Sequence, residues 1–179
     1  MKIKFSLFTI LIMASTLIFA KPPSPQAGQQ APDFEIIQMD GSTFKLSDYQ
    51  GKQSVYVVFW NTWCGYCMKK IPKLKHTQAN FADKIKIIAI NTSLKDSLEK
   101  SLAFQQTYDI NYSLAFDHGK IITDRYGVWG TPTEFIVDIN GIIQYRDGVP
   151  DDLQPLLSQW NKSLTLTENQ QACAETQTC

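Results

Sequence analysis

Six consecutive residues, Val55–Trp60 (VYVVFW), are all β-branched or aromatic. A strand with one face in water alternates apolar and polar residues. A run with no polar break needs cover on both faces, the condition of an interior strand in a parallel sheet flanked by helices. Ile85–Asn91 repeats the pattern. Between the two, the spacing of Met68, Ile71, Leu74 and Phe81 predicts a helix from close to Cys64 to about Ala82, kinked at Pro72. A strand, a helix and a second buried strand make a βαβ unit, and the chain is expected to be α/β.

The remaining elements follow from local signals. Phe34–Met39 and Thr43–Leu46, joined through Asp40-Gly41, predict an N-terminal β-hairpin, followed by a turn over 47–52. Ser97–Tyr108 predicts a helix that buries Leu98, Leu102 and Phe104, Ser113–Phe116 a short strand, and Ile121–Tyr126 a short helix. Asn140-Gly141 between Glu134–Asp138 and Ile142–Arg146 is a strong hairpin signal, so an antiparallel pair makes the sheet mixed. Asp152–Asn161 is a closing helix using Leu153, Leu156, Leu157 and Trp160. The domain is therefore expected over 32–161.

Both ends of the 179-residue chain differ from this middle. Lys2 and Lys4 precede an apolar run from Phe5 to Ala20, and Lys21-Pro22-Pro23-Ser24-Pro25 ends it. Residues 1–20 read as a secretory signal cut after Ala20, or as an uncleaved anchor that would tie the protein to a membrane. Residues 21–31, rich in Pro, Gln and Gly, read as a flexible linker, and 162–179 as a flexible polar tail holding Cys173 and Cys179. Lys plus Arg and Asp plus Glu each number 17, and no basic patch of the kind that binds nucleic acid is evident. Export would place the four cysteines where disulfides persist.

Trp63-Cys64-Gly65-Tyr66-Cys67 falls where the buried strand meets the helix. Unpaired amides at a helix start, with the positive end of its dipole, stabilise a thiolate, which is the nucleophile of disulfide exchange. The spacing lets the second sulfur close on the first. Cys64 is expected to be the exposed attacking thiol, and Cys67, a turn further in, the buried resolving thiol. Zinc would need two further ligands, and only the distant tail cysteines and the lone His76 and His118 exist, so no metal site is expected. Cys173 and Cys179 are candidates for a second disulfide, an electron relay or a soft-metal site.

Phe59-Trp60-Asn61-Thr62-Trp63-Cys64-Gly65-Tyr66-Cys67, with Pro72 beyond it, resembles the thioredoxin superfamily, and the segment 127–138 around Thr131-Pro132 resembles its cis-proline strand. Ala31-Pro32-Asp33-Phe34, 46–52 and 140–146 are similar to the extracytoplasmic TlpA, ResA and DsbE branch. The resemblance covers roughly 30–160. It implies a thioredoxin-like fold and a thiol–disulfide oxidoreductase of the periplasm, or of the outer face of the inner membrane. It implies no cofactor beyond the Cys64–Cys67 disulfide. Its partners would be disulfide-bearing clients, as in cytochrome c maturation, with electrons from a membrane thiol reductase. It also implies that Thr131-Pro132 is cis and that Trp63, Thr131 and Pro132 meet the client.

The sequence departs from this branch in two places. Val58 stands where thioredoxins bury an acid, and Lys70 stands where the branch usually has a glutamate. Lys70 and Glu134 are the remaining candidates for proton handling, each against a plainer reading as a solvated surface residue. Gly65-Tyr66 lacks both the His of strong oxidants and the Pro of reducing thioredoxins, so the motif does not give the redox poise. The competing functions are a disulfide oxidase or isomerase of secreted proteins, a copper-delivery or assembly protein, and a peroxidase. The last is disfavoured by Asn61 where peroxiredoxins need Thr.

Overall fold

A computed structural model describes residues 24–158. The apolar segment 1–20 with its cleavage or anchoring, the tail 162–179 with Cys173 and Cys179, and the end of the closing helix with Trp160 lie outside the described residues. The elements run in the order β1 (Glu35–Ile37), β2 (Thr43–Lys45), β3 (Ser54–Trp60), α1 (Gly65–Phe81), β4 (Ile85–Asn91), α2 (Leu98–Thr107), β5 (Ser113–Phe116), α3 (Ile121–Arg125), β6 (Thr133–Val137) and β7 (Ile143–Arg146). Residues 154–158 are helical.

The central sheet has the order β5-β4-β3-β6-β7. β3 pairs parallel with β4, and β4 with β5, whereas β3–β6 and β6–β7 are antiparallel. The mixed α/β sheet anticipated from the pattern is thus present. β3 is its middle strand and is buried along its whole length, as its unbroken apolar sequence requires. Alternation sends Val55, Val57 and Phe59 into one core and Tyr56, Val58 and Trp60 into the other. The first core is closed by the β1–β2 hairpin and Tyr126, with Phe34, Phe44 and Tyr49 stacked in series. The second is closed by Leu74 of α1 and by Leu153 and Leu157.

Two features depart from the sequence expectations. Leu98 and Leu102 remain more than a third exposed, because α2 turns Ser101 and Phe104 toward the sheet instead. Ser101 accepts from the Asn91 side chain at 2.9 Å and Phe104 stacks against Trp60. At 3.6 residues per turn the two leucines then face an open apolar groove of about 600 Å³ beside Ile37, Phe116 and Ile121, well away from the cysteines. The second feature is the course of 24–31, within the segment whose composition suggests a linker. Here it lies along β7: Gly28 N–H donates to Ile143 O, Ile143 N–H to Gln29 O, and Ala31 N–H to Gly141 O, at 2.8–2.9 Å. Ser24 caps the carbonyl of Tyr126 and covers Gly127, where a Cβ would come within 2.9 Å of the Ser24 Cα.

Candidate active site

Strand β3 delivers Asn61-Thr62-Trp63 to the start of α1, and Cys64 is the N-cap of that helix. Its sulfur accepts the Cys67 N–H at 3.1 Å and is joined to the Cys67 sulfur in a disulfide. Donation from the first helical turn stabilises negative charge on sulfur when the disulfide opens. Cys64 is 4% and Cys67 6% exposed, so the expected contrast between an exposed and a buried sulfur is not seen in the oxidised form. The flanking Trp63 (53% exposed) and Tyr66 (73%) take the solvent instead.

The segment leading to Cys64 is held by a buried polar network. Asp96 accepts the Thr62 N–H and hydroxyl at 2.7 Å each, and the Asn91 amide at 2.8 Å. Burial pushes its carboxyl up, but these donors and the Ser97 N–H outweigh that and hold it below its usual range. Asn61 accepts from Thr92 at 2.8 Å and from the Thr131 hydroxyl at 3.4 Å. Thr131-Pro132 is cis. Trp63, its indole N–H donating to Leu94 O at 3.0 Å, shares a depression of about 180 Å³ with Thr131, Leu94 and Trp129. Trp60, by contrast, lies in the core. Asn61, Asn91, Thr92 and Asp96 were not singled out from the sequence. The signal is there, since polar residues directly after buried apolar strands sit where α/β sheets place their sites.

Beneath α1 a second cluster joins Lys70 and Glu134. Glu134 on β6 lies directly opposite Val58 on β3 and so shares its face of the sheet. It is 3% exposed. The Lys70 ammonium donates to its Oε2 at 2.7 Å, and the Tyr56 hydroxyl donates to Oε1. Neither plain reading holds: Glu134 is no exposed strand residue, and Lys70, half-buried, is ion-paired rather than solvated. A buried acid is present after all, on β6, the strand next to the one that carries Val58. Tyr56 was missed because a tyrosine in an apolar run reads as packing. His118 meets Phe116 and His76 meets Phe81 edge-to-face.

A buried strand, a cysteine pair at the start of a helix and a loop with a cis-proline define a thioredoxin-like redox domain. The AhpC/TSA family model matches residues 27–146, and the chain belongs to this thioredoxin-like family, on its ResA/DsbE-like branch. It is 38% identical over 120 residues to the thioredoxin-like protein YneN of Bacillus subtilis, covering 66% of this chain and 69% of that one. It is 32% identical over 149 residues to the thiol-disulfide oxidoreductase ResA of Bacillus cereus, covering 82% and 83%. Among solved structures it is similar to a thiol:disulfide interchange protein DsbE from Chlorobium tepidum, with TM-score 0.63, 32% identity and coverage of 69% and 85%. The protein is a thiol–disulfide oxidoreductase of ResA/DsbE type.

Proposed function

We propose that the protein works outside the cytoplasm as a reductant of client disulfides. The observation that carries this reading is the Cys67 N–H donating to the Cys64 sulfur at the head of α1. It supports Cys64 as the thiolate that attacks. Attack forms a mixed disulfide with the client. Cys67 then attacks the Cys64 sulfur, closes the intramolecular disulfide and releases the client as a dithiol. Two electrons pass to the client, and the redox group is the cysteine pair itself. Trp63 and Thr131, the neighbours of Cys64 and of the cis Pro132, border one depression, which suits an extended client segment that adds to the cis-proline loop as a strand. The Lys70–Glu134 pair handles the proton of Cys67.

A membrane thiol reductase would re-reduce the pair, and cytochrome c maturation is the pathway that the resemblance favours. Residues 1–20 would supply export. The deciding experiment is the reduction potential of Cys64–Cys67 in the chain carrying Cys173→Ser and Cys179→Ser. A value near about −270 mV supports a reductant, and one near about −120 mV overturns it in favour of an oxidase or isomerase. A Cu(I) titration of the reduced chain tests the metal-delivery alternative, which requires tight binding by Cys64 and Cys67 thiolates.

A further inference from the structure

The redox end of the molecule carries a set of lysines that the exchange chemistry does not use. Lys69, exposed on α1, holds its ammonium 5.0 Å from the centroid of the Tyr66 ring, the residue before Cys67. Lys95, also exposed, lies between two contacts to the segment before Cys64: Leu94 O accepts the Trp63 indole N–H, and Asp96 accepts from Thr62. Lys120, just before α3, lines the same depression as Trp63, Thr131 and the 83% exposed Trp129. Lys69 and Lys95 make no ion pair among the described residues, and Lys120 meets the exposed Asp124 at 3.5 Å. The other acids nearby are turned inward. Asp96 is taken up by its five donors, and the buried Asp117 accepts the Ile122 and Thr123 N–H groups. A molecule approaching this end therefore meets the cations first.

Two of these lysines hold a backbone conformation that disfavours them. Lys95 has φ +51° and Lys120 φ +61°, in the left-handed region where glycine is unstrained and a Cβ is crowded. Lys95 lies outside the core, and Lys120, though it precedes α3, makes no capping bond through its side chain. Packing and capping thus give no reason for lysine at either position. Backbone strain of this kind persists where the side chain is used. We infer that this rim selects clients whose disulfide is flanked by carboxylates, which Lys69, Lys95 and Lys120 receive around an apolar floor of Trp63 and Trp129. The inference rests on the client reduction proposed above and names the class of client. The exchange step itself is unchanged. The lysines draw the client in and orient it before Cys64 attacks, and exposed charges of this kind act on encounter and are screened by salt.

The test uses the reduced full chain with Cys173→Ser and Cys179→Ser and three synthetic peptides. Each peptide carries one intramolecular disulfide and a neighbouring Phe, and the residues flanking its cysteines are Asp, Ser or Lys. Rates are divided by those of dithiothreitol with the same peptide, which removes the peptide's own reactivity. Hydroxyethyl disulfide, small and uncharged, is the control for exchange. If the parent does not reduce it, or Cys64→Ser still does, the proposed function falls and the inference with it. Given that control, the Asp peptide is expected to react about tenfold faster than the Lys peptide at low ionic strength, with the Ser peptide between them. The spread should collapse toward about 1 M salt. Lys95→Gly and Lys120→Gly should each lower the Asp-to-Ser rate ratio about two- to fivefold. Neither should lower the thermal midpoint, because glycine relieves the left-handed backbone. Equal rates for the three peptides, a preference for the Lys peptide, or a spread untouched by salt overturns the inference. Glycine variants that lower the midpoint and leave the ratio intact assign these lysines to the fold and overturn it as well.

Discussion

At Cys64 one backbone donor from the first turn of α1 meets a sulfur that is otherwise packed in apolar surroundings. That donor makes the two cysteines unequal. Cys64→Ser should abolish disulfide reduction, and Cys67→Ser should leave attack intact but trap the mixed disulfide, seen as an added mass in intact-protein spectra. Asp96 is the second decisive residue, because five donors converge on it. Asp96→Ala strands those donors and should cost about 1–3 kcal/mol in urea unfolding at neutral pH. Its carboxyl is depressed in the folded state, so its contribution is present above the unfolded value near pH 4. It drains as pH falls through the lower folded value, and the gap between variant and parent should narrow at pH 3 or below. Of these residues the cysteines were legible from spacing alone. Asp96 was not, since its role depends on β4 delivering Asn91 beside the Cys64 segment.

Among the elements, α2 shows how far a periodic pattern reads. Its start at Ser97 follows the capping rule, the hydroxyl accepting the Lys100 N–H at 3.2 Å, and Ser97→Ala should cost about 1 kcal/mol. Its orientation did not follow the leucines, because burying Ser101 lets the helix satisfy Asn91. α1 behaves more simply: Leu74 packs in the second core, and Ile71 is buried beside it on the same helix. Truncation of Ile71 to Ala should cost about 2–5 kcal/mol, read from the denaturant midpoint. The β1–β2 hairpin was readable from Asp40-Gly41. Its docking was not, since Met39 N–H donates to Leu114 O and so covers part of β5 at the edge of the sheet. Short edge strands gain from such cover.

Over the whole molecule, the segment 24–31 is the feature most easily tested. Arg146 reaches Ser24 and the Pro25 carbonyl, and Gly127, at φ +59°, accepts Ser24 against its bare Cα. Gly127→Ala adds a side chain in a left-handed conformation, costing about 1–2 kcal/mol, and pushes Ser24 away. It should lower the thermal midpoint by about 2–8 °C, with Cys64 exchange unchanged. The order of elements, the buried central strand, both hairpins and the reactive pair were set by local information: apolar period, turn residues and a two-residue cysteine spacing. These depend on neighbours within a turn or two, and a sequence displays them directly. The Lys70–Glu134–Tyr56 cluster and the Asp96 network join residues from separate elements. They come together only when β6 pairs with β3 in the register that sets Glu134 opposite Val58, and when α1 and α2 settle on one face of the sheet. Register and face are collective outcomes of packing the whole core, so tertiary structure alone decided how this site handles charge.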